Sequence, residues 1–111
     1  MAKGDFVGEF ELYVLMAIAR AGDEAYGVRI RQEIERRTGR TVAIGAVHAT
    51  LVRLEDKGLV RFTLSDPQPV PGGKRRKLVT LTAAGGRAVR HSADMLARML
   101  DGLSPDLRGS R

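Results

Sequence analysis

Two short stretches hold the side chains best able to act on another molecule. In Pro71-Gly72-Gly73-Lys74-Arg75-Arg76-Lys77, four consecutive cations follow a proline and a glycine pair. In Gly45-Ala46-Val47-His48-Ala49, small residues surround a histidine, and Arg53 follows one turn later. Ammonium and guanidinium groups donate to phosphate, and arginine can also take guanine O6 and N7 as a bidentate pair. Imidazole can hydrogen-bond a base edge or a phosphate, neutral or charged. The chemistry on offer is recognition of a polyanion. A basic four-mer is also common as a solvated surface, so its meaning depends on what holds it.

Catalysis has little support. The chain has no cysteine, which removes disulfides, thiolate metal sites and cysteine nucleophiles together. His48 and His91 stand far apart with no ligand spacing around them, so no metal site is expected. The serines at 65, 92, 104 and 110 lack a glycine-rich nucleophile elbow. The stretch from Gly22 to Gly27 is too short for a phosphate loop and has no lysine, and Gly85-Gly86 follows no dinucleotide-type repeat. The reading is of a non-enzyme, with no catalytic residue and no cofactor.

The 111 residues leave room for one domain, and 43% hydrophobic content is ordinary for a folded one. No run approaches the ~18 apolar residues of a membrane span, and the N-terminus lacks an apolar signal core, so a cytoplasmic setting is expected. The net charge of +6 is unevenly spread: residues 1–24 sum to −3, residues 25–77 to +7 and residues 78–111 to +2. A basic centre favours nucleic acid or an anionic surface as partner.

The elements that must position the two stretches can be read from periodicity. Gly8–Gly22 predicts a helix that is apolar nearly all round, with Leu12, Leu15 and Met16 assigned to a subunit interface. Ala25–Gly39 predicts a second helix on Tyr26, Ile30 and Ile34, and Thr41–Ile44 a very short strand. Gly45–Val60 predicts a third helix with Val47, Leu51 and Leu54 inward. Its other side, with Ala46, His48, Ala49, Val52 and Arg53, is sterically low. Residues 59–65 and 77–82 read as two strands joined by a loop too rich in proline and glycine for helix or inner strand. From an N-cap at Thr82, Ala83–Leu103 predicts a long fourth helix. Val89, Ala93, Leu96, Leu100 and Leu103 recur at spacings of 4, 3, 4, 3, the seam of a dimerising helix. Residues 104–111 read as a disordered tail.

Three helices followed by a hairpin is the order of a winged helix-turn-helix. "AYGVRI", "GAVHATLVRLEDKGLV" and "KLVTLTAAGGRAV" together resemble the PadR family of bacterial transcriptional regulators, over roughly residues 8–103. Tyr26 and Gly27 match the pair that opens the family's second helix. Gly45, Leu51, Leu54, Gly58 and Leu59 match the third-helix framework, and Leu81, Thr82 and Gly85 the start of the fourth helix. The chain departs where the family is usually polar, aromatic or proline: Ala46 replaces threonine, His48 tyrosine and Ala49 proline, and Leu78-Val79 replaces an aromatic segment. The length resembles the short subgroup with one C-terminal helix.

The resemblance implies a mainly α fold with a small β-hairpin: a winged helix-turn-helix domain (8–82) and a C-terminal dimerisation helix (83–103). It implies a homodimeric repressor of double-stranded DNA. The third helix would lie in the major groove, with Gly45, Ala46, His48, Ala49 and Arg53 at the bases. Lys74, Arg75 and Arg76 of the wing and Tyr26 and Arg29 of the second helix would meet the backbone. Some relatives release DNA when a small aromatic compound binds between subunits. With no tryptophan in this chain, an indole pair cannot do that here, and the effector stays open. Other readings fit the charge: a non-specific binder of duplex DNA, an anionic membrane, poorly served by helices without a one-sided basic face, and a winged-helix interaction module with an acidic protein docking on the third helix.

Overall fold

Strong helix formers from Glu9 onward wind into α1 (Glu9–Ala21), the first element of the computed structural model, which describes residues 7–67 and 69–109. The Glu11 carboxylate turns back to accept the Gly8 N–H at 2.9 Å, satisfying one of the free amides at the helix start. A 3-10 turn over Gly22–Glu24 leads to α2 (Gly27–Thr38), then come α3 (Ile44–Asp56), the strands β1 (Val60–Leu64) and β2 (Lys77–Leu81), and α4 (Ala83–Leu100). The fold is a winged helix with a C-terminal helix, as the sequence order predicts.

The apolar girth of α1 is covered mostly from inside the chain, because α2, α3, β2 and α4 all pack on it. Val14, Leu15, Ala17 and Ile18 are buried there. Leu15, expected at a subunit interface, is therefore a core residue with no exposed surface. Leu12 is half-buried and Met16 exposed.

Val47, Leu51 and Leu54 of α3 are buried in the same core. At about 2 kcal/mol for each buried side chain of this kind, rotating α3 about its axis would forfeit several kcal/mol. Its outward face is thereby fixed. No strand forms at Thr41–Ala43: the Val42 N–H donates to Glu35 Oε2 at 2.8 Å, so a side chain takes the bond a strand partner would need.

The strands pair antiparallel, with Val60 opposite Leu81, Phe62 opposite Val79 and Leu64 opposite Lys77. Beyond the last pair, Ser65 N–H donates to the Arg76 carbonyl and Arg76 N–H to Ser65 Oγ, each at 2.8 Å. The Val79 N–H reaches the Ala25 carbonyl at 2.8 Å, tying the hairpin to the connection before α2. Ala25 itself lies outside α2, which is shorter at its start than the sequence reading.

Thr82 caps α4, its Oγ1 accepting the Gly85 N–H at 3.0 Å and donating to the Gly58 carbonyl at 2.7 Å. The helix stops at Leu100 in an Asp101-Gly102 turn, so Leu103 is not the last rung of the seam. Residues 104–109, expected to be disordered, contain a 3-10 turn (Pro105–Leu107) capped by Ser104, and Arg108 Nε donates to the Leu103 carbonyl at 2.9 Å. Residues 110–111 of that tail, and residues 1–6 read for an export signal, lie outside the described residues.

Candidate nucleic-acid interface

The face of α3 opposite its buried stripe consists of Gly45, Ala46, His48, Ala49, Val52 and Arg53, all exposed. Small residues fill most of its middle, and Val52 is the larger apolar group that stands out among them. Side chains of α3, the N-terminus of α2 and the root of the hairpin together bound a cleft of about 450 Å³, with His48, Val52, Tyr26, Phe62 and Arg76 in its walls. The third helix and the wing thus open on the same space.

The cations of the wing divide into two pairs. Lys74 and Arg75 are exposed in the loop and have no hydrogen-bond or ion-pair partner among the described residues. The Arg76 guanidinium lies over the Tyr26 ring, 4.3 Å from its centroid, and the Lys77 ammonium lies over Phe62 at 4.2 Å. Such contacts contribute about 0.5–1 kcal/mol each at exposed sites. Arg76 therefore connects the wing to the start of α2, and Tyr26 serves as its platform as well as the N-cap position of that helix.

His48 leans toward the same helix start. A Cβ placed on Gly27 would come within 2.7 Å of His48 Nε2, so the glycine leaves the imidazole room against the first turn of α2. Arg53 is turned the other way. Its Nη2 donates to Thr50 Oγ1 at 3.0 Å, and its Nε stands 3.8 Å from Glu11 Oε2. Arg53 sits about 70° around the helix from the Gly45–Ala49–Val52 line. The guanine contact expected of it would require release from Thr50 and Glu11. Arg29 lies on the flank of α2 with Gln32, Glu33 and Arg36, with a buried Nε that has no hydrogen-bond partner among the described residues.

A family model described as the transcriptional regulator PadR-like family matches residues 14–91. The chain belongs to that family. PadR-like proteins are DNA-binding transcription regulators, and the two stretches rich in polyanion chemistry lie on the helix and the wing of the fold. Solved structures of the same fold include a PadR family transcription regulator from hypervirulent Clostridium difficile. It is 22% identical, with TM-score 0.69, covering 83% of this chain and 91% of that one. The PadR-like transcriptional regulator from Bacillus cereus is 20% identical, with TM-score 0.60, over 85% and 93% of the two chains. The hsRosR-SG complex is 20% identical, with TM-score 0.70, over 93% and 84%. Comparison with curated proteins gives no match. No helix among the described residues is long and apolar enough to cross a membrane.

Two carboxylates that brace this PadR-like scaffold were not singled out from sequence. Glu11 accepts Lys57 Nζ at 3.0 and 3.1 Å as well as the Gly8 N–H, joining the start of α1 to the end of α3. Glu33 is buried and takes Arg36 on both oxygens at 2.7 Å and Arg37 at 3.1 Å. The i+3 and i+4 spacing of the Glu33 partners is a signal that could have found them. Glu11 and Lys57 stand 46 residues apart, where no local pattern reaches.

Burial pushes the Glu11 carboxyl up, but the Gly8 and Lys57 donors and the charges of Lys57 and Arg53 outweigh it, leaving the group below its ordinary value of 4.5. Hydrogen bonds from Arg36 and then Arg37 hold Glu33 below 4.5 too. Groups lowered in the folded state contribute stability in full above the unfolded value and lose it as pH falls through the folded one. Thermal melts should therefore be flat above about pH 5 and drop below about pH 4.5. A Glu11→Gln, Glu33→Gln chain should melt lower near neutrality and show a shallower acid decline. An acid decline as steep as the wild type's would assign it to other carboxylates.

Proposed function

We propose that this PadR-like protein is a homodimeric repressor reading a two-fold-related operator, with half-sites roughly one helical turn apart. The observation that carries the reading is the shared cleft: the low face of α3 and the basic root of the wing bound one space. A groove-inserted helix needs small residues where its backbone nears the base edges, and Gly45, Ala46 and Ala49 supply them. Lys74 and Arg75, held by no other group among the described residues, would take phosphates and fix the register. Arg76, Tyr26 and Arg29 would add to the backbone contacts, and His48 would reach a base edge. The setting is the cytoplasm.

Pairing of two chains is supported by the surface α4 leaves open beside α1. Leu96 is 59% exposed and Met99 76% exposed, Ala93 is exposed and Leu100 half-buried beside them, while Val89 packs partly against the chain's own core. Leu12 and Met16 offer apolar surface on the adjacent helix.

Selection of duplexes from a random library tests the reading. The expected winner contains an inverted repeat, binds two chains, and loses affinity steeply with salt. Recovery of no preferred duplex, or binding indifferent to salt, would overturn it. Leu96→Glu with Leu100→Glu should give a monomer by light scattering. Those monomers should bind the operator at least about tenfold more weakly, since a half-site alone is left. A dimer persisting in that variant would place the subunit contact elsewhere.

A further inference from the structure

The centre of the exposed α3 face is apolar. At 100° per residue, Gly45, Ala49 and Val52 fall within about 60° of one another around the helix. Val52 is 52% exposed, a large apolar group held outward by the burial of Val47, Leu51 and Leu54. Hydrogen-bonding groups stand to either side of this line. His48 leans toward Gly27, and Arg53 is tied to Thr50 and Glu11. Asp56 continues the line at the C-terminal end of the helix, where its charge would repel phosphate and limit how far along α3 a duplex can lie.

A valine and an alanine offer the major groove no donor and no acceptor. The groove edge carries one apolar group that could meet them, the C5-methyl of thymine. We infer that Ala49 and Val52 read thymine through its methyl group, with Gly45 letting the helix backbone come close. The inference rests on the proposal that α3 is the helix in the groove, and it names the base that helix selects. Residues three apart on a helix have Cβ atoms about 5–6 Å from each other, and bases on a strand rise about 3.4 Å per step. The two methyl groups should therefore lie one or two steps apart within each half-site.

Deoxyuridine tests this cleanly, because it removes the methyl and leaves pairing and the O4 acceptor intact. The probe is the selected operator, with each thymine replaced in turn and bound to the full chain. At two positions per half-site, the replacement should weaken binding about three- to fivefold, the value of one buried methyl. In Val52→Ala that penalty should vanish at one of these positions and persist at the other, and Ala49→Ser should show the reverse. Both substitutions are at exposed positions, so folding is retained.

If an operator is bound tightly yet deoxyuridine is tolerated at every thymine, methyl reading fails while DNA reading stands. Penalties that survive unchanged in both variants would put the methyl contact on other residues and overturn the assignment. If no duplex is preferred at all, the failure lies with the proposed function, and methyl reading falls with it.

Discussion

Gly85→Ala should lower the melting temperature by roughly 10–20 °C, the effect of about 3 kcal/mol on a domain of this size. Gly85 is the third residue of α4 and is buried against the chain that leaves α3. A Cβ built there would stand 2.1 Å from the Leu59 carbonyl oxygen and 3.1 Å from its carbon. Those are backbone atoms, and they cannot move aside as a side-chain tip can. The same carbonyl accepts the Thr82 N–H at 3.1 Å, and Thr82 Oγ1 holds Gly58 next to it. Displacing Leu59 would therefore disturb the α4 cap and the start of β1 together. Gly86→Ala is the matched control. Its Cβ would meet only the Arg90 guanidinium, at 3.6 Å, and alanine favours a helix over glycine by up to about 1 kcal/mol. That variant should melt at or slightly above the wild-type temperature. Equal melting of the Gly85 and Gly86 variants would show that α4 shifts freely over the hairpin, against the close approach seen at Leu59.

The contrast between these neighbouring glycines shows what a sequence reveals. Both could be placed at the start of a helix after Thr82, because a capping threonine before a run of small residues is a local signal. Which one touches Leu59 depends on how α4 crosses the hairpin, and that is set by packing. Helical period likewise placed Val47, Leu51 and Leu54 inward, because one buried stripe must repeat every three to four residues. Period could not place Leu15. A helix apolar all round can be covered by its own domain or by a partner, and here four elements of the same chain pack on α1 and Leu15 is buried.

The site was legible to a similar depth. The low face of α3 follows from residue type alone, and so does the basic wing. The directions of long side chains do not, since they answer to partners distant in sequence. Arg76 finds Tyr26 across 50 positions, and Arg53 finds Glu11 across 42. Thr41–Ala43 shows the same limit for backbone: β-branched residues suggested a strand, and Glu35 took the amide instead.

Those side-chain directions sharpen what the wing should do. Lys74→Ala with Arg75→Ala is expected to weaken specific and random duplexes alike, by two to three orders of magnitude near 150 mM salt if all four cations of a dimer meet phosphate. Each phosphate contact steepens the dependence of log affinity on log salt by about 0.9, so the slope should become shallower by roughly 3–4. Preference for the operator over random duplex should be nearly unchanged, because neither side chain is held where it could read a base. Arg76→Ala should behave differently. Its guanidinium is stacked on Tyr26, so its loss removes a brace between wing and α2 worth about 0.5–1 kcal/mol along with any phosphate contact. The expected signature is a smaller change in slope and a small drop in melting temperature, which Tyr26→Leu should reproduce. An unaltered salt slope in the Lys74, Arg75 double variant would falsify the phosphate role of the loop. A loss of slope in Arg76→Ala as large, per cation removed, as in the Lys74, Arg75 double variant would instead mean that Arg76 leaves Tyr26 when the duplex arrives.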